Sequence, residues 1–545
     1  MSRILFFMVP VLALLAASPA SAADGSTGFL VVAQDRGAVG NRETADIVAA
    51  FQKGHRAELL LVGPDAQGIE NQYQGYIRTA IAKLEAAGVD EIVAIPLFVS
   101  DADALLSRFR NQIASYPRKA TLRWATAMAG SYLAGQILLD RVRELARDPH
   151  QERLIVLVSG ASDADSEKRI RAGVEGLLGD LRARLPFREI KVLVQHEDGG
   201  NGTVKREIIH TAARRGRTIL VPFTMDEKFS AMMSTEGALR RSYGDYDVDI
   251  GPTLLPHPAV VTWLKSVAND YLPVTDKRVG IIVMPHGSTQ PYNDAIERVL
   301  TPLAQRFPLE IAYGMADADA ISRAVKDLEA KGVRRAVFVR MYGLSEHMKA
   351  ASDYILGLSD RIPPRLKRNP PRRVRTGIRF ETFGGYEEDP LIADIWRERI
   401  LEISEDPKRE TVILLAHGVR GEAANERRLA VMNRNIDRIK EGLDEPFREI
   451  KAMTVREDWP EIRRRALQDI RAFIEQRSRN GRVIVISNRL YGSGPYRQYL
   501  DGLDYVLDGR GLAPHSNLTR WAEKGVEAAL ATLTQPRPST AAASR

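Results

Sequence analysis

Residues 280–355 read GIIVMPHGSTQPYNDAIERVLTPLAQRFPLEIAYGMADADAISRAVKDLEAKGVRRAVFVRMYGLSEHMKAASDYI. An apolar strand beginning at Val279 ends at Met284 and runs into Pro285-His286-Gly287-Ser288-Thr289. Helical patterns follow over Tyr292 to Phe307 and Ala320 to Lys331. Gly332 then permits a left-handed helix end. A second apolar strand, Ala336 to Met341, runs into Tyr342-Gly343-Leu344-Ser345-Glu346-His347. Alternation of strand and helix implies βαβ units, a parallel sheet and right-handed crossovers. Near-continuous Val and Ile runs are what strands buried on both faces of such a sheet require.

Outward from this stretch the pattern recurs. Four apolar strands run into a Gly-containing turn: Phe29 to Gly37, Leu154 to Gly160, Val279 to Gly287 and Val412 to Gly418, about 125 to 130 residues apart. Four helices end at Gly88, Gly216, Gly332 and Gly481, each before a buried strand closed by an aromatic: Phe98, Phe223, Tyr342 and Tyr491. His257 and His515 share a Pro-His context before a helix, which reads as capping. A fixed period of this kind marks a repeat architecture. The expectation is four small doubly wound α/β modules over 24–150, 151–275, 278–405 and 408–533, arranged as two bilobal pairs. Residues 534–545, rich in Ser, Thr, Ala and Pro, read as a disordered tail.

Composition bounds the function. The 545 residues carry 44% hydrophobic and 27% charged side chains, an ordinary globular balance. A net charge of +8 is a weak signal for nucleic acid at this length. With no cysteine, disulfides, thiolate metal sites and cysteine nucleophiles are excluded. No Walker loop, His-Glu-x-x-His helix or Gly-x-Ser-x-Gly elbow is present. Residues 1–22 have the layout of a secretory signal peptide: Arg3, an apolar run from Ile4 to Ala17, then Ala20-Ser21-Ala22. The expectation is cleavage after Ala22 and a periplasmic or secreted mature chain with no membrane span.

Ligands of open parallel sheets bind beyond the carboxyl ends of the strands. There the third module places His286 and His347 on one sheet edge. Paired neutral imidazoles suit Co, Ni, Fe or Zn, and they also accept protons near neutral pH.

The quoted stretch resembles the class II tetrapyrrole chelatase family, the sirohydrochlorin cobaltochelatases and ferrochelatases of the CbiX and SirB type. The resemblance rests on strand-His-Gly-Ser at His286-Gly287-Ser288 and on the second His, His347, after GVRRAVFVRMYG. It covers most of the third module, and the other three share its framework with eroded motifs. It implies a chelatase-like fold, a lyase-type reaction in cobalamin or related tetrapyrrole biosynthesis, and a sirohydrochlorin-like partner. It implies that His286 and His347 hold Co2+, Ni2+ or Fe2+ and help remove pyrrole protons, with Ser288, Tyr342 and Gly343 lining the macrocycle site. Met315 stands where many relatives carry an acid, which would give a softer His/His/Met set. Asp317 and Asp319 follow closely as substitutes. The same features also fit a non-catalytic carrier of metal or tetrapyrrole.

In the other modules the corresponding positions are Arg36 and Asp103, Ser159-Gly160 and Lys228, and His417 and Tyr496. His196-Glu197 reads as a surface pair, and Tyr496 as a packing residue that could also ligate ferric iron. The basic run Arg361, Arg365, Lys367, Arg368, Arg372, Arg373, Arg375 and Arg379 reads as a solvated loop, or as a carboxylate-binding surface.

Overall fold

A computed structural model describes residues 27–63, 70–197, 199–225 and 234–534. The expected signal segment, Lys228 and the tail from Gln535 lie outside the described residues.

Sixteen strands form four sheets, each continuous in the chain. The first holds β1 (Thr27–Gln34), β2 (Ala57–Val62), β3 (Glu91–Leu97) and β4 (Thr121–Trp124). The second holds β5 (Arg153–Ala161), β6 (Glu189–His196), β7 (Thr218–Pro222) and β8 (Val248–Ile250). The third holds β9 (Val279–Met284), β10 (Leu309–Ile311), β11 (Arg335–Arg340) and β12 (Arg379–Gly384). The fourth holds β13 (Glu410–Ala416), β14 (Glu449–Thr454), β15 (Arg482–Asn488) and β16 (Val506–Asp508). Every sheet is parallel and has the order second, first, third, fourth strand. The expected α/β fold of four doubly wound modules is what the chain adopts.

The continuous apolar runs are explained by two faces that both need covering. Along β1, Phe29, Val31 and Ala33 join a core shared with β5, while Leu30 and Val32 pack under helices of their own module. The same alternation separates Leu154, Val156 and Val158 from Ile155 on β5. One core therefore joins sheets one and two, and a second joins sheets three and four, where Ile281 and Val283 meet Val412 and Leu414. Each fully buried Val, Leu or Ile contributes about 1.5–3 kcal/mol of transfer energy. Two bilobal pairs result.

The helix-ending glycines divide. Gly88, Gly216 and Gly332 take positive φ, as a left-handed helix end requires. Gly481 does not. A Cβ there would lie 2.1 Å from the Arg409 carbonyl oxygen, so close backbone approach selects that glycine.

The basic run is largely solvated, as one reading of the sequence expects, but Arg373 is buried and makes the segment a strap between the two pairs. Arg373 is 5% exposed, stacks over Tyr132 and Tyr354, and donates to Asp360 at 2.8 Å. The Tyr132 hydroxyl donates to the Val374 carbonyl at 2.7 Å, and Arg184 donates to that of Pro370 at 2.8 Å. Arg375 pairs with Asp140. Arg361, Lys367, Arg368 and Arg372 remain exposed. Among the described residues, no helix is long and apolar enough to cross a membrane.

Candidate functional site

In a sheet of this order the crossovers leave in opposite directions from the first and third strands. A crevice opens at their carboxyl ends. In the third sheet these strands are β9 and β11, with Met284 opposite Arg340 and the Met341 N–H donating to the Met284 carbonyl at 3.0 Å. His286 and Tyr342 each stand two residues beyond that register, so their turns emerge side by side. His286 is exposed and its Nδ1 lies 2.7 Å from the Gly287 carbonyl. With Nδ1 donating, Nε2 keeps its lone pair for a ligand.

His347 is half-buried, and burial first, then the Arg428 guanidinium, hold its imidazolium below the usual range. Both effects favour the neutral ring that a metal needs. No direct contact joins His286 to His347. Among the described residues, no group of three or more His, Asp or Glu is placed to hold a metal.

Several expected partners have other engagements. Met315 is 51% exposed, and its carbonyl accepts from Arg365 at 2.8 Å. Asp317, a proposed substitute acid, caps the helix Ala318–Ala330 by accepting from the Ala320 N–H at 2.8 Å. Asp319 lies in the first turn of that helix. The Ser288 N–H donates to Asn293 at 3.3 Å. The Tyr342 hydroxyl donates to the Gly314 carbonyl at 2.7 Å, and burial pushes its ionisation far up. A Cβ on Gly343 would lie 2.3 Å from Glu387 Oε1, so the glycine admits that carboxylate.

Glu387 was not anticipated. It follows β12 in Tyr386-Glu387-Glu388, is 0% exposed, and pairs with Arg428 from the fourth module's helix Glu422–Glu441. The Asn435 amide holds the Glu387 carbonyl at 2.6 Å. Burial pushes the Glu387 carboxyl up, and Arg428 opposes it. Glu388 accepts from the Ser345 N–H at 3.0 Å and from its hydroxyl at 3.2 Å. Arg428 thus faces both His347 and the fourth module's Tyr496. The one local signal, two glycines before an acidic pair, says nothing about a partner over 40 residues away.

The fourth module repeats the turn. His417 Nδ1 lies 2.9 Å from the Gly418 carbonyl, and its Nε2 faces Glu457 at 3.4 Å and Asp458 at 3.3 Å. Tyr496 is fully buried under Arg489, in line with a packing role. His257 and His515 are caps, as expected. Their Nδ1 atoms accept from Ala259 and Asn517 N–H groups, each at 3.1 Å.

In the first pair Glu197 is exposed, in line with the surface reading, while His196 is half-buried with its Nε2 2.8 Å from Glu167. His196 lines a cavity of about 550 Å³ together with Arg36, Asp103, Ser159 and Gly160.

No family model matches the chain. No curated protein matches it. Among solved structures, it is similar to SirB from Bacillus subtilis with Fe3+, at 13% identity and a TM-score of 0.35, over 48% of this chain and 98% of that one. It is also similar to DR2241 from Deinococcus radiodurans, described as a multi-domain protein with structural similarity to chelatases and two additional novel domains. There the identity is 16% and the TM-score 0.30, over 44% of this chain and 55% of that one.

Proposed function

We propose that the β9–β11 edge binds a divalent transition metal, Co2+, Ni2+ or Fe2+, through His286 and His347. The metal is cargo for a sirohydrochlorin-like tetrapyrrole, which makes the chain a cobaltochelatase- or ferrochelatase-like protein acting outside the cytoplasm. The supporting observation is the pair of turns at one register. His286 there has Nδ1 on the Gly287 carbonyl, which leaves Nε2 for a ligand, and burial and Arg428 favour the neutral ring of His347. An incomplete ligand set suits a site that passes its metal on, because ring nitrogens can complete the coordination.

A second reading, a carrier without turnover, is favoured by the carboxylates. Glu387 is paired with Arg428, Glu388 with Ser345, and Asp317 with a helix N-terminus, so none is poised to take pyrrole protons.

Calorimetry of the mature chain with Co2+, Ni2+ and Fe2+, beside His286→Ala and His347→Ala, tests the site. One ion per chain, weakened at least tenfold in either variant, is expected. Equal binding by all three proteins would end the proposal. Adding metal-free sirohydrochlorin to the loaded protein then separates insertion from carriage by the absorption change.

A further inference from the structure

The cavity of about 550 Å³ lies between the first and second sheets, at the carboxyl ends of their strands. Its volume falls within the roughly 300–1,000 Å³ of small-molecule sites. One wall is apolar, with Leu105, Leu157, Ile209, Leu239 and Tyr243. The helix that carries Ile209, Gly202–Arg214, also lines the cavity with Gly202 at its start and with Lys205 and Arg206.

Two independent features there call for an anion. The first is Lys205. It is 7% exposed, and its Nζ has no hydrogen-bond partner among the described residues. The nearby carboxylate is already taken: Glu167 accepts from Arg171, from His196 at 2.8 Å and from Asn201 at 3.3 Å. An ammonium buried without a partner is costly and rarely kept without a use. Burial pushes its ionisation down to about 8, which still leaves it cationic near neutral pH.

The second feature is the helix start. Asn201 provides no side-chain cap, because its amide oxygen accepts from the His196 N–H at 3.1 Å. The Gly202 N–H donates to the Gly199 carbonyl at 2.9 Å, but no side chain caps the turn, so the positive end of the helix dipole remains beside Lys205 and Arg206. The acids lining the cavity do not cancel this charge. Glu197 pairs with Arg108 at 3.4 Å, and burial lifts the Asp103 carboxyl to about 7. Asp103 caps the helix Ala104–Ser115 and packs against Gly160, where a Cβ would lie 2.0 Å from its Oδ2.

We propose that this cavity is a second ligand site, separate from the histidine edge, for an organic anion with an apolar body. The anionic group would seat on Lys205, Arg206 and the first turn of the helix Gly202–Arg214, with the body against Leu239 and Tyr243. The site does not depend on the metal reading.

Two naphthalene dyes test it on the full mature chain. One, 8-anilinonaphthalene-1-sulfonate, carries an anion; the other, N-phenyl-1-naphthylamine, has the same rings and no charge. Saturable binding of the sulfonate is expected, weakened about tenfold or more by Lys205→Met. The uncharged dye should change less than about twofold in that variant. Ala238→Trp, at an exposed cavity-lining position on the helix Thr235–Tyr243, should weaken both dyes. His286→Ala should weaken neither. Near-ultraviolet circular dichroism and the thermal midpoint establish that each variant is folded. The proposal is overturned if the wild-type chain shows no saturable site. It is also overturned if Lys205→Met leaves the sulfonate unchanged or weakens both dyes alike.

Discussion

Arg428→Met in the third and fourth pair should destabilise in a way that depends on pH. Glu387 is wholly buried, and Arg428 is its cationic partner. Removing the guanidinium leaves a carboxylate with no counter-charge, a change that typically costs about 3–5 kcal/mol. The carboxyl can escape by staying protonated, which sets a ceiling. Unfolded, it titrates near 4.5, and folded its value is already pushed up by burial. An acid raised in the folded state costs nothing below its unfolded value and progressively more above it. Holding Glu387 neutral costs about 1.4 kcal/mol per pH unit above 4.5, so about 3.4 kcal/mol at pH 7 and about 0.7 kcal/mol at pH 5.

Urea unfolding followed by tryptophan emission reports on this pair through Trp396 and Trp521 in its core, with Trp124 and Trp263 reporting on the first pair, so the variants are compared by the transition that moves. The Arg428→Met deficit should be several-fold larger at pH 7 than at pH 5. The double variant Glu387→Gln with Arg428→Met should recover most of it, since no buried charge remains. A deficit equal at both pH values, or a double variant no better than the single, would refute the assignment of a buried ion pair.

Three further outcomes follow from the same geometry. Gly343→Ala drives a methyl to within 2.3 Å of Glu387 Oε1 and should cost about 1–3 kcal/mol by urea midpoint, while Gly54→Ala, with open space around its Cβ, serves as the control. Arg373→Met removes a cation stacked on Tyr132 and Tyr354, a contact of about 2 kcal/mol when desolvated, and should speed limited proteolysis of the strap around residues 356–377. His347 has a folded protonation midpoint below its ordinary 6.5, so the stability tied to its neutral ring is full above 6.5 and is lost as pH falls from there through the lower folded midpoint. Its imidazole resonances should titrate lower than those of a free histidine and move upward in Arg428→Met, and an unchanged midpoint in that variant would contradict the Arg428 contact.

The four-fold alternation was legible because each central strand must satisfy two apolar faces. Val and Ile therefore run unbroken through segments such as Val279 to Met284. The sheet order made the strand-end turns the place to look, and His286 stands in one of them. What escaped the sequence depends on contacts between distant segments. Arg428 reads as one of several charges on an amphipathic helix, and only the packing of sheet three against sheet four buries it on Glu387. Arg361 to Arg379 reads as solvated, because charge density is local, whereas the partners of Arg373 and its neighbours, Tyr132, Asp140 and Arg184, come from the first two modules, more than 180 residues earlier. Gly481 looks like its three counterparts, yet close approach of the Arg409 carbonyl selects it, not left-handed backbone.

The repeated strand order fixes where ligands can approach, and the turn residues decide which ligand charge is welcome. In the third and fourth modules the first-strand turns carry His286 and His417, each with Nδ1 on the next residue's carbonyl. With Nδ1 donating, Nε2 keeps its lone pair at the exposed His286, while at His417 it faces the carboxylates of Glu457 and Asp458, and both surroundings suit a cation. At the matching places in the first pair stand Arg36 and Ser159-Gly160, and the facing helix brings Lys205 and Arg206. A metal ion would meet repulsion there, and an organic anion would not. If the proposed anion site holds, the absence of histidines at these turns goes with a change in the sign of ligand charge. On this view Lys205→Met affects anion binding alone and His286→Ala affects metal binding alone. Contacts between the two pairs run through Arg373 and its strap, and also through Arg335 and Gly377, which meet Asn269 at the end of the first pair.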